Sequence, residues 1–85
     1  MYRIEYKRPA RKALQRMPSD AAARFLRAFE ALAEDPERRD LDITPMQGRP
    51  GFRLRIGQWR ALYTLEHERL VILVVQVGAR GDVYK

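Results

Sequence analysis

The residues of this sequence best suited to chemistry are three arginines, Arg53, Arg55 and Arg60, in the run Phe52-Arg53-Leu54-Arg55-Ile56-Gly57-Gln58-Trp59-Arg60-Ala61-Leu62-Tyr63. Gly57-Gln58 fits a two-residue hairpin loop with glycine at the first central position, as a type II′ turn wants. That loop sets a register in which Ile56 opposes Trp59, Arg55 opposes Arg60, Leu54 opposes Ala61, Arg53 opposes Leu62 and Phe52 opposes Tyr63. Phe52, Leu54, Ile56, Trp59, Ala61 and Tyr63 then share one face, and the three arginines share the other. Like charges directly opposed destabilise a sheet, and the hairpin itself contains no acidic residue. A guanidinium is planar, permanently charged and matched to phosphate. The cluster therefore reads as a site for a phosphate-bearing ligand; the plainer alternative is three long side chains splayed into water.

The rest of the composition points the same way without deciding it. Seventeen Lys plus Arg against eleven Asp plus Glu give a net charge of +6, and fourteen of the seventeen are arginine. A nucleic acid is the leading partner class, although an arginine-rich composition alone would also give a basic chain. With no cysteine and one histidine, no disulfide, zinc-type site or other cofactor is expected. His67 lies between Glu66 and Glu68 in a turn and reads as a solvent-exposed residue, not a general base. Trp59 and Tyr63 read as core residues, not base-stacking platforms.

Positioning these arginines requires a scaffold, and 85 residues build one domain, spanning 1–85, around one core. Tyr2 to Lys7 alternate as a half-buried strand that should pair with the last strand. Pro9 suits a helix start, with Ala10, Ala13, Leu14 and Met17 on one stripe. Ser19 or Asp20 should cap a longer helix carrying Ala22, Phe25, Leu26, Phe29, Leu32 and Ala33, stopped at Asp35-Pro36. The tight joint between the two predicts a helical hairpin laid on a sheet. Glu37 to Gly51 has no clear period and reads as a crossing loop. Phe52 to Ile56, Trp59 to Leu65 and Leu70 to Val77 read as a three-stranded meander. In the last run Leu70, Ile72 and Val74 alternate with Val71, Leu73, Val75 and Val77, which predicts a strand covered on both faces and an apolar excess on the second. The fold class is α+β: a twisted antiparallel sheet, N-terminal strand plus meander, packed against an N-terminal helical hairpin.

Several stretches together resemble the RelE/ParE superfamily of type II toxins. Phe52 to Tyr63 is similar to the RelE-type signature aromatic-basic-x-basic-x-Gly-x-aromatic-Arg-x-x-Tyr, and Val77-Gly78-Ala79-Arg80-Gly81-Asp82-Val83-Tyr84 to its closing Gly-x-Arg and Val-Tyr. Tyr-x-Ile near the start, Leu32 through Asp35-Pro36, and Met46-Gln47-Gly48 extend the match over the chain. The resemblance implies a RelE-like mRNA interferase: a metal-independent endoribonuclease that cuts messenger RNA in the ribosomal A site and is neutralised by a cognate antitoxin. It also implies the site residues. Arg53 and Arg55 fill two basic positions that are usually lysine in the best-known enzyme. Arg60 is the transition-state arginine, Arg80 the proposed general acid, and Tyr84 the tyrosine that stacks on a base or helps activate the nucleophile.

Attack of a ribose 2′-OH on its own 3′ phosphate suits such a set, because fixed cations stabilise the charge that develops on the phosphoryl oxygens. Arginine is a poor base, so proton transfer is the step these residues serve least. Two alternatives stay open: a ParE-type inhibitor of DNA gyrase on the same fold, or a non-catalytic nucleic-acid-binding module. The N-terminus lacks a signal-peptide pattern and the longest apolar run, Leu70 to Val75, is too short to span a bilayer. A cytoplasmic protein without a membrane partner is expected.

Overall fold

A computed structural model describes residues 1–79. Its elements run β1 (Arg3–Tyr6), α1 (Arg8–Arg16), α2 (Ser19–Glu34), β2 (Ile43–Pro45), β3 (Phe52–Ile56), β4 (Trp59–Glu66) and β5 (Val71–Ala79). The α+β class, the helical pair and the meander are as the sequence predicts. Three departures refine it.

The helices follow from their spacing. Pro9 sits in the first turn of α1, where its missing N–H is not needed. Met17 and Pro18 adopt extended backbone and break the two helices apart. The cap of α2 is Pro18, so Ser19 and Asp20 lie inside the helix, and Asp20 meets the positive end of the helix dipole as a first-turn acid instead of capping it. The buried stripe of α2 is Ala21, Phe25, Ala28, Phe29, Leu32 and Ala33, and Leu26 falls off it at 41% exposed. The helix stops at Asp35, where the following proline disfavours helical backbone.

The five strands form one sheet in the order β1-β5-β4-β3-β2. The first departure is β2, an edge strand inside the expected loop, pairing Ile43 with Leu54, Thr44 with Arg53 and Pro45 with Phe52. Only three residues long and ending in proline, it suits an edge. The second is direction: β1 pairs with β5 as expected but in parallel, Arg3 beside Val71 through Tyr6 beside Val74, which makes the sheet mixed. Short hairpin loops dictate antiparallel neighbours. The link from β1 to β5 passes through both helices and the meander, so no local pattern fixes its sense.

The third departure is a β-bulge. Leu62 pairs with Gln76 but Tyr63 with Val74, leaving Val75 as the extra residue. An inserted residue flips every later side chain to the opposite face. Val77 therefore joins Ile72 and Val74 in the helix-side core with Leu54, Ala61 and Tyr63, not Val71 and Leu73 on the second face. Leu70 also leaves the strand: it closes the β4–β5 turn with φ 55 and is half-exposed.

The helix-side core is aromatic at its centre, with Phe29 meeting Tyr6 and Tyr63 edge-on and Phe52 stacked on Tyr63. The opposite face is less bare than its apolar residues suggest, since Leu62 and Val71 are both buried. Leu62 lies beside Met46, Arg49 and Pro50 of the β2–β3 loop. Val71 is flanked in register by Glu66 and Arg3, within an ion-pair group that links Arg3 to Glu5 and Arg69 to both Glu5 and Glu66.

Candidate active site

On the open face of the sheet, side chains line up in rows across the strands. The row nearest the β3–β4 turn runs Asp42, Arg55, Arg60, Gly78; the next runs Thr44, Arg53, Leu62, Gln76. The hairpin register is the one read from the sequence, pair for pair. Gly57 has φ 60, and Gln58 is not among the residues with positive φ, the sign pattern of a type II′ turn.

Arg55 and Arg60 are direct neighbours in that register. The Arg55 N–H turns the other way, donating to the Asp42 carbonyl oxygen at 2.9 Å. Arg55 and Arg60 are thus a non-hydrogen-bonded pair, the arrangement that brings opposing side chains closest. The hairpin itself holds no acid, but β2 brings one to the cluster from outside it: Asp42 Oδ2 accepts from Arg55 Nε at 2.7 Å. Contact at Nε fixes the guanidinium plane and leaves the edge formed by its two terminal nitrogens able to grip a phosphate.

Arg60 stands differently. Its Nη1 is buried without a hydrogen-bond partner among the described residues. Its neighbour on β5 is Gly78, which puts no side chain on that face. A guanidinium with one desolvated, unsatisfied nitrogen beside a like charge is a configuration that an arriving anion improves. Arg53 is half-buried and lies beside Thr44 and Leu62 in register.

The structure thus brings together Arg53, Arg55 and Arg60. Arg80 and Tyr84 lie outside the described residues. His67 is exposed and remote, at the far end of β4 from Arg60, but it is not idle: its Nδ1 is 2.5 Å from the Tyr2 hydroxyl. Trp59 packs on the helix-side core and lines a groove with Lys12, Met17 and Val77, away from the arginine rows. Tyr63 is buried, and burial pushes its hydroxyl up to about 12, so it is no source of a phenolate. Sequence reasoning missed Asp42. Its only signal was the single alternation Asp42-Ile43-Thr44, too short to mark a strand.

A basic sheet face backed by two helices defines a class, and comparison with known proteins identifies it. The chain belongs to the ParE toxin family of type II toxin–antitoxin systems (parDE), whose model matches residues 4–84. Among solved structures, it is similar to the archaeal RelE–RelB complex from Pyrococcus horikoshii, with 28% identity, 95% of this chain and 97% of that one covered, and a TM-score of 0.81. The toxin–antitoxin complex RelBE2 of Mycobacterium tuberculosis gives 26% identity, coverage of 93% and 98%, and a TM-score of 0.76. Isolated RelE of Escherichia coli, at 20% identity, 99% and 92% coverage and a TM-score of 0.79, shares the fold. No curated protein matches the sequence.

Proposed function

We propose that this toxin is an mRNA endoribonuclease that acts on the ribosome in the cytoplasm and is restrained by a cognate antitoxin. The observation that carries the reading is Arg60: a desolvated guanidinium nitrogen without a hydrogen-bond partner among the described residues, next to the plane-fixed Arg55. Such a pair suits the phosphoryl group of a transition state better than it suits water.

In the proposed reaction the 2′-oxygen bonds to the adjacent phosphorus and the P–O5′ bond breaks. The 2′-OH proton leaves with a base and the 5′-oxygen gains one, giving a 2′,3′-cyclic phosphate and a 5′-OH end. Arg53, Arg55 and Arg60 hold the phosphate and stabilise the charge on its oxygens. Arg80 would protonate the leaving oxygen, and Tyr84 would stack on a base or help activate the nucleophile. Arginine cations serve positioning and electrostatics far better than proton transfer, which suits a target already positioned by the ribosome. The solved toxin–antitoxin complexes of similar chains support the antitoxin.

A second reading, inhibition of DNA gyrase, is favoured by the family whose model matches, that of ParE. Mapping 5′-OH RNA ends after brief expression separates the two. Codon-phased cuts in translated messages, lost in Arg60→Ala, are the expected result; DNA damage with intact messages would support gyrase instead.

A further inference from the structure

The β2–β3 connection builds a second feature on the open face. The Met46 N–H donates to the Gly51 carbonyl oxygen at 3.0 Å, closing residues 46–51 into a loop. Gly51 has φ 122, and a Cβ there would stand 2.9 Å from the Tyr63 carbonyl oxygen, so the base of the loop is pressed onto β4 as only glycine permits. The loop is a fixed ridge, not a loose crossing.

On the outer side of this ridge is a cleft of about 440 Å³ lined by Thr44, Pro45, Met46, Gln47, Arg49 and Arg53. Thr44 is the register partner of Arg53, so the cleft opens onto the same face as Arg55 and Arg60. It lies two residues further along the strand, a distance of about 6.6 Å. Its size falls within the range of small-ligand sites, about 300–1,000 Å³. Arg49 and Arg53 line it, with no carboxylate among the described lining residues, which suits a phosphate. The Gln47 amide offers a donor and an acceptor and Thr44 a hydroxyl, while Pro45 and Met46 supply an apolar wall for a ring.

We propose that this cleft is a nucleotide subsite. It takes the nucleotide next to the scissile phosphate, with Arg49 on its backbone and Gln47 on the edge of its base. The inference rests on the RNA-cleavage reading and adds to it the source of sequence preference. An acidic protein segment offers phosphate-like charge but no flat ring with a hydrogen-bonding edge, so the mixed lining favours RNA.

Two measurements test it. On ribosomes programmed with messages that differ at one codon position, Arg49→Ala should raise KM about tenfold, more than it lowers kcat. Gln47→Ala should flatten the preference at one position severalfold. Variants that cut the same codons with the wild-type KM overturn the subsite, as does loss of antitoxin binding without any change in cutting. If the wild-type protein makes no 5′-OH ends, the cleavage reading falls, and the subsite is then judged alone by NMR titration with a short 2′-O-methyl oligoribonucleotide. Shift changes centred on Thr44, Gln47 and Arg49 sustain it; none there sinks it.

Discussion

At the scale of single residues, the arginine face is built against the interest of the fold. Arg55 is relieved by Asp42, but both side chains are about half-exposed, and exposed pairs contribute only about 0–1 kcal/mol. Arg60 has no such relief among the described residues, and a buried unsatisfied donor costs roughly 1–3 kcal/mol. Replacing Arg60 with methionine keeps the apolar stem and removes the charge. Arg60→Met should therefore abolish RNA cutting while leaving stability unchanged or raising it by up to about 2 kcal/mol. Urea melts read beside RNA-end mapping check this. A loss of more than about 1 kcal/mol would mean the guanidinium serves the fold. The opposition of Arg55 and Arg60 was legible in the sequence because a two-residue turn leaves one register. Asp42 was not, because its strand is too short to show a period.

At the scale of elements, what the sequence conveyed was whatever a local rule decides. The helices follow from apolar stripes broken at Met17-Pro18 and Asp35-Pro36, and the β3–β4 hairpin from its turn. The bulge at Val75 stayed hidden because β5 is apolar at nearly every position, so a slip of one residue leaves no mark in the pattern. The left-handed backbone of Leu70 stayed hidden because leucine there breaks the usual preference for glycine or asparagine. These two kinds of turn residue make a paired prediction. Gly51→Ala, at φ 122 and 2.9 Å from the Tyr63 carbonyl oxygen, should cost about 2 kcal/mol or more. Leu70→Gly, at φ 55 with half its surface exposed, should stabilise by roughly 0.5–1 kcal/mol. Thermal melts of the two variants should move in opposite directions, and a stabilised Gly51→Ala would contradict the pressed loop.

At the scale of the whole molecule, the sheet separates two tasks, with arginines on one face and an aromatic core under helices on the other. That core ties stability to pH through its tyrosines. Burial pushes the Tyr63 hydroxyl up to about 12. Burial, then the nearby Glu30 charge, pushes that of Tyr6 up to about 12 as well. Both lie above the ordinary value of 10.0, so between these limits the folded chain keeps protons that the unfolded chain releases. Their contribution is therefore complete below pH 10 and is lost as pH rises toward about 12. Urea midpoints measured from pH 8 upward should stay level and then fall steeply above pH 10. Tyr63→Phe removes one of the two protons and should make that fall shallower, even if the variant is less stable at neutral pH. A midpoint that declines equally in wild type and Tyr63→Phe would assign the alkaline loss to surface charge. The aromatic centre beneath the arginine face would then be a packing device without a titrating role.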